Sequence, residues 1–263
     1  MRRFFAPPAQ CSSQDFSLIG PEAHHATHVL RVRAGERITV LNGVGDEFLC
    51  EVRDSTRDAV HLAVLEQKHH PPPPCRVTLL QALPKGKLFE TIVQKATELG
   101  ASRIIPLLSE RVVVQLDQME AARKAEKWQA VAIEAIKQCG SSYLPEVAPP
   151  VSPEDFLSRK EPFELCLVAC LQPGSKHPRE HFDGFRSRHG RNPASACVWI
   201  GPEGDFTPAE YKAIKAADAL PISLGPLILR SDTAMGYCLS LLNYELNASA
   251  PTPETNGPGA QDS

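Results

Sequence analysis

The chain has 263 residues, with 28 Lys plus Arg against 31 Asp plus Glu, and 24 prolines. That length suffices for one large or two modest domains whose core needs neither disulfides nor metals. A formal net charge of −3 excludes an indiscriminate coater of nucleic acid while leaving room for a local basic site. The 8 cysteines form no CxxC pair and sit mostly in apolar runs such as Cys166–Cys170, the pattern of reduced structural thiols. Arg2-Arg3-Phe4-Phe5 is not followed by the apolar stretch an export signal requires, and no apolar run is long enough to span a bilayer. A soluble, cytoplasmic protein is expected.

In chain order, the first element is a helix from Pro21 to about Leu30, with proline in its first turn. Short alternating runs follow at Arg37–Leu41, Glu47–Val52 and Ala59–Leu65, and the Asn-Gly-Val-Gly-Asp connection at 42–46 signals a hairpin. Residues 1–70 therefore read as a small β-barrel with one helix. Four consecutive prolines at 71–74 lack N–H donors and cannot lie within a helix or central strand, so they mark a linker.

Beyond the prolines the pattern changes to strands alternating with helices. Val77–Leu83, Arg103–Leu108, Glu164–Leu171 and Ala196–Ile200 read as strands. Helices are expected over Lys87–Leu99, over a long segment capped by Asp117 with Glu120 as its box partner, over Pro208–Ala217 and over Asp232–Leu246. This alternation predicts an α/β parallel sheet over 75–247. The Pro-, Thr-, Gly- and Ala-rich tail at 248–263 is expected to be disordered.

Two glycine-containing loops follow apolar strands. Ile200-Gly-Pro-Glu-Gly-Asp-Phe-Thr-Pro208 runs from strand into helix, where backbone N–H groups favour polar ligands; its residues fit an ordinary turn equally well. Leu224-Gly-Pro-Leu-Ile-Leu-Arg-Ser-Asp-Thr-Ala234 gathers an Arg, an Asp and a Thr where a helix begins; taken alone, Ser231 or Asp232 fits a helix cap equally well.

Taken together, several motifs resemble the RsmE family of small-subunit ribosomal RNA methyltransferases. They are Lys85-Gly-Lys-Leu-Phe-Glu through Gly100, Pro106, Glu110-Arg111, Glu134-Ala135 with Gln138, Gly201-Pro-Glu-Gly204, and Leu224-Gly225 with Ile228-Leu-Arg230 and Thr233-Ala234. Arg3-Phe4-Phe5, His25 and Val29-Leu-Arg31 extend the likeness over nearly residues 1–247.

The resemblance implies a PUA-like RNA-binding barrel followed by a SPOUT methyltransferase domain with a deep trefoil knot. It implies a homodimer that uses S-adenosylmethionine to methylate N3 of one uridine near the decoding centre of 16S rRNA. Carried onto this chain, the cofactor would be held by Leu171, Gly201, Pro202, Glu203, Gly204, Leu224, Gly225, Ile228, Leu229, Ser231, Thr233 and Ala234. Arg230 would stabilise the base and Asp232 relay its proton. Arg3, Arg31, Lys85, Lys87 and Gln138 would contact RNA.

The chain departs from the family's usual pattern at Leu227, where Arg is common, at Asp232, where Glu is common, at Asp205, where Gly is common, and near Ser141 and Ser142, where Arg is common. The departures at Leu227, Asp232 and Ser141–Ser142 motivate one rival, a non-catalytic RNA-binding or ribosome-assembly protein, while Asp205 is the milder change; a second rival is a SPOUT enzyme for another base or RNA. His24 and His28 have metal-binding spacing but no third ligand nearby in sequence, so no metal is expected.

Overall fold

Alternating apolar residues ahead of the four prolines build five strands: β1 (Arg3–Phe5), β2 (Asp15–Ile19), β3 (Arg37–Leu41), β4 (Asp46–Ser55) and β5 (Ala59–His69). They form a mixed sheet of order β1-β3-β4-β5-β2. The computed structural model describes residues 1–56, 58–112, 116–170 and 174–248. The expected disordered tail thus lies, but for Ala248, outside the described residues, as does Leu171.

β3 and β4 are joined by the expected hairpin. Asn42 Oδ1 accepts from the N–H groups of Val44 and Asp46, both at 3.0 Å, so one side-chain amide organises the turn. Register irregularities at Leu49/Cys50 and Val52/Asp54 bend β4 around a core containing Phe4, Leu18, Ile38, Cys50 and Leu62. The first helix, α1 (Gly20–His24), begins with Pro21 in its first turn and continues as a wider π turn over His25–Val29.

After the prolines come β6 (Arg76–Ala82), α2 (Leu88–Glu98), β7 (Arg103–Leu107), α3 (Gln118–Cys139) and β8 (Glu146–Val147). α4 (Pro153–Ser158), β9 (Leu165–Ala169), α5 (Pro178–His189) and β10 (Ser195–Ile200) follow. The last elements are α6 (Pro208–Ala216), β11 (Leu220–Ile222) and α7 (Ser231–Leu242). β6–β11 form one sheet of order β11-β9-β10-β6-β7-β8 with every pair parallel.

Strand periodicity sends neighbouring residues to opposite faces. Leu79, Ile104, Leu167 and Val198 pack with Phe89 of α2, Trp128 of α3, Phe182 of α5 and Met235 of α7. Leu80, Ile105, Val168 and Trp199 pack with Phe156 of α4 and Ile214 of α6 on the other face. Burial on both faces explains why these strands read as unbroken apolar runs.

The end of α3 is the seat on which the first sheet rests. Lys137, only 6% exposed at its side chain, bonds Glu22 of α1 and Glu134 of its own helix, each at 2.7 Å. Arg3 donates to the carbonyls of Lys137 and Gln138. Gly140 ends the helix at φ 82°, a backbone conformation that calls for glycine, and a Cβ there would stand 2.9 Å from the Arg3 guanidinium and displace it. Tyr143 Oη donates to the His70 carbonyl and Gly45 N–H to the Ser142 carbonyl, which completes the contact.

Candidate active site

The two glycine-containing loops converge at the C-terminal ends of β9, β10 and β11, the edge of a parallel sheet where ligands generally bind. Between them lies a cleft of about 260 Å³. Ala169, Cys170 and Ile200 line it from the strand ends, Gly201, Pro202, Glu203 and Asp205 from the first loop, and Ser223 through Leu229 from the second. Ser231 and Ala234 line it from the start of α7.

The first loop is held from beneath. Asp205, at φ 63°, accepts from the Phe206 N–H, and Arg111 donates to the Gly204 carbonyl. Thr207 caps α6 with Glu210 in a reciprocal box, and Glu210 also accepts from the Glu110 N–H at 2.9 Å. Gly201 is closely framed by its own loop: a Cβ would meet Asp205 Oδ1 at 3.1 Å and Phe206 N at 3.2 Å, so a side chain there displaces those neighbours by a few tenths of an ångström.

The second loop ends on α7, whose N-cap is Arg230 with extended backbone and no side-chain cap bond. The alternative of a capping side chain at Ser231 or Asp232 is therefore not realised. Ser231 is buried and receives a long 3.4 Å bond from Gln81 Nε2, at the end of β6. Asp232 Oδ1 and Gln81 Oε1 are buried acceptors with no hydrogen-bond partner among the described residues. Neither residue lines the cleft, nor does Arg230; the three adjoin it through Ser231, which Gln81 contacts and which Arg230 and Asp232 flank in sequence. Arg230 is exposed beside them.

Nine of the residues expected to hold the cofactor line the cleft: Gly201, Pro202, Glu203, Leu224, Gly225, Ile228, Leu229, Ser231 and Ala234. Gly204 and Thr233 do not line it; Gly204 faces Arg111, and Thr233 is on the exposed side of the first α7 turn. The lining residues outside the expected set are Ala169, Cys170, Ser175 and Ser223, and also Ile200, Asp205, Pro226 and Leu227, which lie in the two loops without having been assigned to the cofactor. Cys170 Sγ lies 3.3 Å from Tyr211 Oη, and burial together with that contact pushes the Tyr211 hydroxyl upward, keeping it protonated. Only the position of Cys170 at the end of an apolar strand hinted at a site.

Among the residues expected to face RNA, Lys85 and Lys87 are exposed on the connection between β6 and α2, at the C-terminal edge of the parallel sheet. Arg3 and Gln138 meet each other, but through the Arg3 guanidinium and the Gln138 carbonyl, so Arg3 serves the contact between the two sheets. Arg31 is exposed at φ 51°, after the π turn. The His24 and His28 rings stack at 4.4 Å, and among the described residues no cluster of three metal-binding side chains occurs. Nor, among those residues, is any helix long and apolar enough to cross a membrane.

A family model described as an RNA methyltransferase domain matches residues 71–243, and one described as an RNA methyltransferase PUA domain matches residues 18–65. The chain is 33% identical over 249 residues to ribosomal RNA small subunit methyltransferase E of Bacillus subtilis, covering 93% of this chain and 97% of that one. The Synechocystis protein of the same name is 32% identical, with 94% and 78% covered. A crystal structure of ribosomal RNA small subunit methyltransferase E from Neisseria gonorrhoeae bound to S-adenosyl methionine superposes with a TM-score of 0.81 at 27% identity, covering 93% of this chain and 97% of that chain. A structure from Legionella pneumophila, described as a methyltransferase with bound cofactor, gives 0.82 at 31% identity, with 92% and 96% covered.

Proposed function

The chain belongs to the RsmE family of ribosomal RNA small-subunit methyltransferases, and from that premise we propose that it uses S-adenosylmethionine to methylate N3 of one uridine in 16S rRNA near the decoding centre. One observation carries the reading: the two loops and the start of α7, through Ser231 and Ala234, line a single cleft.

The residues present fit this cofactor. Ile200, Leu224 and Leu229 offer apolar surface for a purine, while Glu203 and Asp205 favour a cationic ligand. When bound, S-adenosylmethionine supplies an electrophilic methyl group on a sulfonium. The remaining work falls to this chain. Uracil N3 is protonated at neutral pH, and with a pKa about two units above ambient its deprotonation costs about 3 kcal/mol. Arg230, exposed and between the cleft-lining Leu229 and Ser231 in sequence, stabilises the negative charge that develops on the base. Asp232 accepts the N3 proton, and its unpartnered Oδ1 supports that role. Backbone groups of the 201–204 and 224–229 segments enclose the cofactor and exclude water.

Lys85, Lys87 and Arg31 contribute phosphate contacts, and residues 1–70 act as the RNA-binding unit alongside a catalytic unit at 75–247. The segment after β10 is read as threaded through a trefoil knot; the insertion of β10 between β6 and β9 supports this. The protein works as a homodimer: Leu227 at 72% and Ile228 at 80% exposure leave apolar side chains at the cleft for a second subunit to cover. Its partner is the small ribosomal subunit or its RNA, in the cytoplasm.

Mass-spectrometric mapping of 3-methyluridine in 16S rRNA from cells lacking the protein tests the assignment. Loss of the mark, restored by the gene, is expected. An unchanged mark removes the assignment, and no calorimetric affinity for S-adenosylmethionine would favour a non-catalytic RNA-binding protein.

A further inference from the structure

Two cysteines outside the proposed transfer chemistry stand face to face in the ladder of β9 and β10, each three residues before its strand reaches the cleft at Ala169 or Ile200. Cys166 on β9 and Cys197 on β10 are direct partners in the parallel ladder. Their sulfurs are 3.0 Å apart, and both are free thiols. Neighbouring strands run about 4.8 Å apart, within the Cα separation of about 4.4–6.8 Å that a disulfide requires. Little backbone movement stands between the thiols and a covalent bond.

The two thiols are not equivalent. Cys197 is fully buried beneath α4 and α6, whereas Cys166 is only partly covered. The Cys197 S–H and the Trp199 indole both donate toward Cys166, holding its thiol below the usual range against the effect of burial. Burial pushes Cys197 well up, Cys11 to about 11, and Cys50, Cys75 and Cys238 to about 12. A partly exposed, thiolate-prone cysteine in van der Waals contact with a second thiol is the arrangement of an attacking and a resolving cysteine.

We propose that Cys166 and Cys197 are an oxidation site, at which hydrogen peroxide or another hydroperoxide converts the dithiol into an intramolecular disulfide between β9 and β10. The Cys166 sulfur attacks the peroxide oxygen and the O–O bond breaks. The departing hydroxide takes the Cys166 proton as water, leaving a sulfenic acid. The Cys197 sulfur then attacks the Cys166 sulfur, the S–O bond breaks, and the second hydroxide leaves as water with the Cys197 proton. Two thiols are oxidised and one peroxide is reduced, giving two waters from hydrogen peroxide, or one alcohol and one water from an organic hydroperoxide. Each strand runs on from its cysteine into the cleft, β9 to Ala169 and Cys170 and β10 to Ile200 and Gly201, so the new bond ties together two walls of that cleft. The site stands on strand register and thiol chemistry and is independent of the substrate assigned above.

The test exposes the full-length protein to a small molar excess of hydrogen peroxide, alkylates remaining thiols, and maps peptides by mass spectrometry without reductant. The expected product is a linked Cys166–Cys197 peptide pair, lighter by two hydrogens and cleaved by dithiothreitol. In C197S the sulfenic acid persists on Cys166 and is trapped by dimedone. The proposal is overturned if both cysteines in the unaltered chain remain fully alkylated while the exposed Cys139 is consumed. It is equally overturned if Cys166 is oxidised to its sulfinic form with no linked pair. The wild-type map decides the matter even where C197S fails to fold.

Discussion

Replacing Lys137 by methionine is expected to destabilise the protein by about 3 kcal/mol, the scale of breaking a buried ion pair by removing one partner. The figure follows from who is left behind. Glu22 is 17% exposed and would keep only the Phe5 N–H at 3.1 Å as a donor. Glu134, at 64% exposure, rehydrates and contributes little. Methionine matches lysine closely in length and helix propensity, so α3 itself is barely affected. For a domain-sized unit of this length each kcal/mol moves the midpoint by about 2–4 °C, giving a fall of about 6–12 °C by calorimetry. The decisive arm is the double variant Lys137→Met with Glu22→Gln, which removes the orphaned charge and should recover at least about half of the loss. A single variant within about 1 kcal/mol of wild type, or a double variant less stable than the single, would refute the view that Lys137 neutralises a buried carboxylate between the two sheets.

Three further expectations concern the site and its acid limit. Arg230→Ala should lower methylation by about a hundredfold or more, the scale of losing a group that stabilises developing charge, while calorimetric affinity for S-adenosylmethionine is unchanged; full activity would remove Arg230 from the chemistry. Substituting Ile228 by Asp should shift the protein toward monomer by analytical ultracentrifugation, since a charge would be forced into an apolar contact; an unaltered oligomer places the subunit interface elsewhere. Glu164 is held down to about 2, first by the Arg191 guanidinium and then by the Ala194 N–H, below its ordinary 4.5. Its folded value being depressed, its contribution to stability is complete above about pH 4.5 and is lost as pH falls toward 2. Glu164→Gln should flatten stability across that window in acid melts, and a carboxyl titration by NMR centred near 4.5 would contradict the pairing.

What was readable in advance follows from range. The capping box at Asp117 and Glu120, the hairpin around Asn42, and the apolar faces of α2 and α3 depend on residues a few positions apart. β1 and β11 at three residues and β8 at two are too short for any period to show, and they exist because a neighbouring strand offers a ladder. α5 was overlooked although His177, Pro178 and Glu180 spell its start; its mean polarity is high and its buried side is narrow, mainly Phe182 and Phe185. The ordinary-turn reading of the Gly201 loop was partly right, since Gly201 answers to its own backbone crowding as well as to the cleft.

The chain by itself determined the longer strands and helices, among them β6, β7, β9, β10, α2, α3 and α6, where the proline run falls, and that two unusual loops follow apolar strands. These are consequences of local propensity and periodicity, which the backbone expresses without reference to distant partners. Only the tertiary structure decided that the loops share one cleft, that Arg3 serves a contact between sheets, that Lys137 is buried, and that Cys166 faces Cys197. The reason is the strand order β11-β9-β10-β6-β7-β8, which brings together residues far apart in sequence through pairings that no short-range pattern encodes.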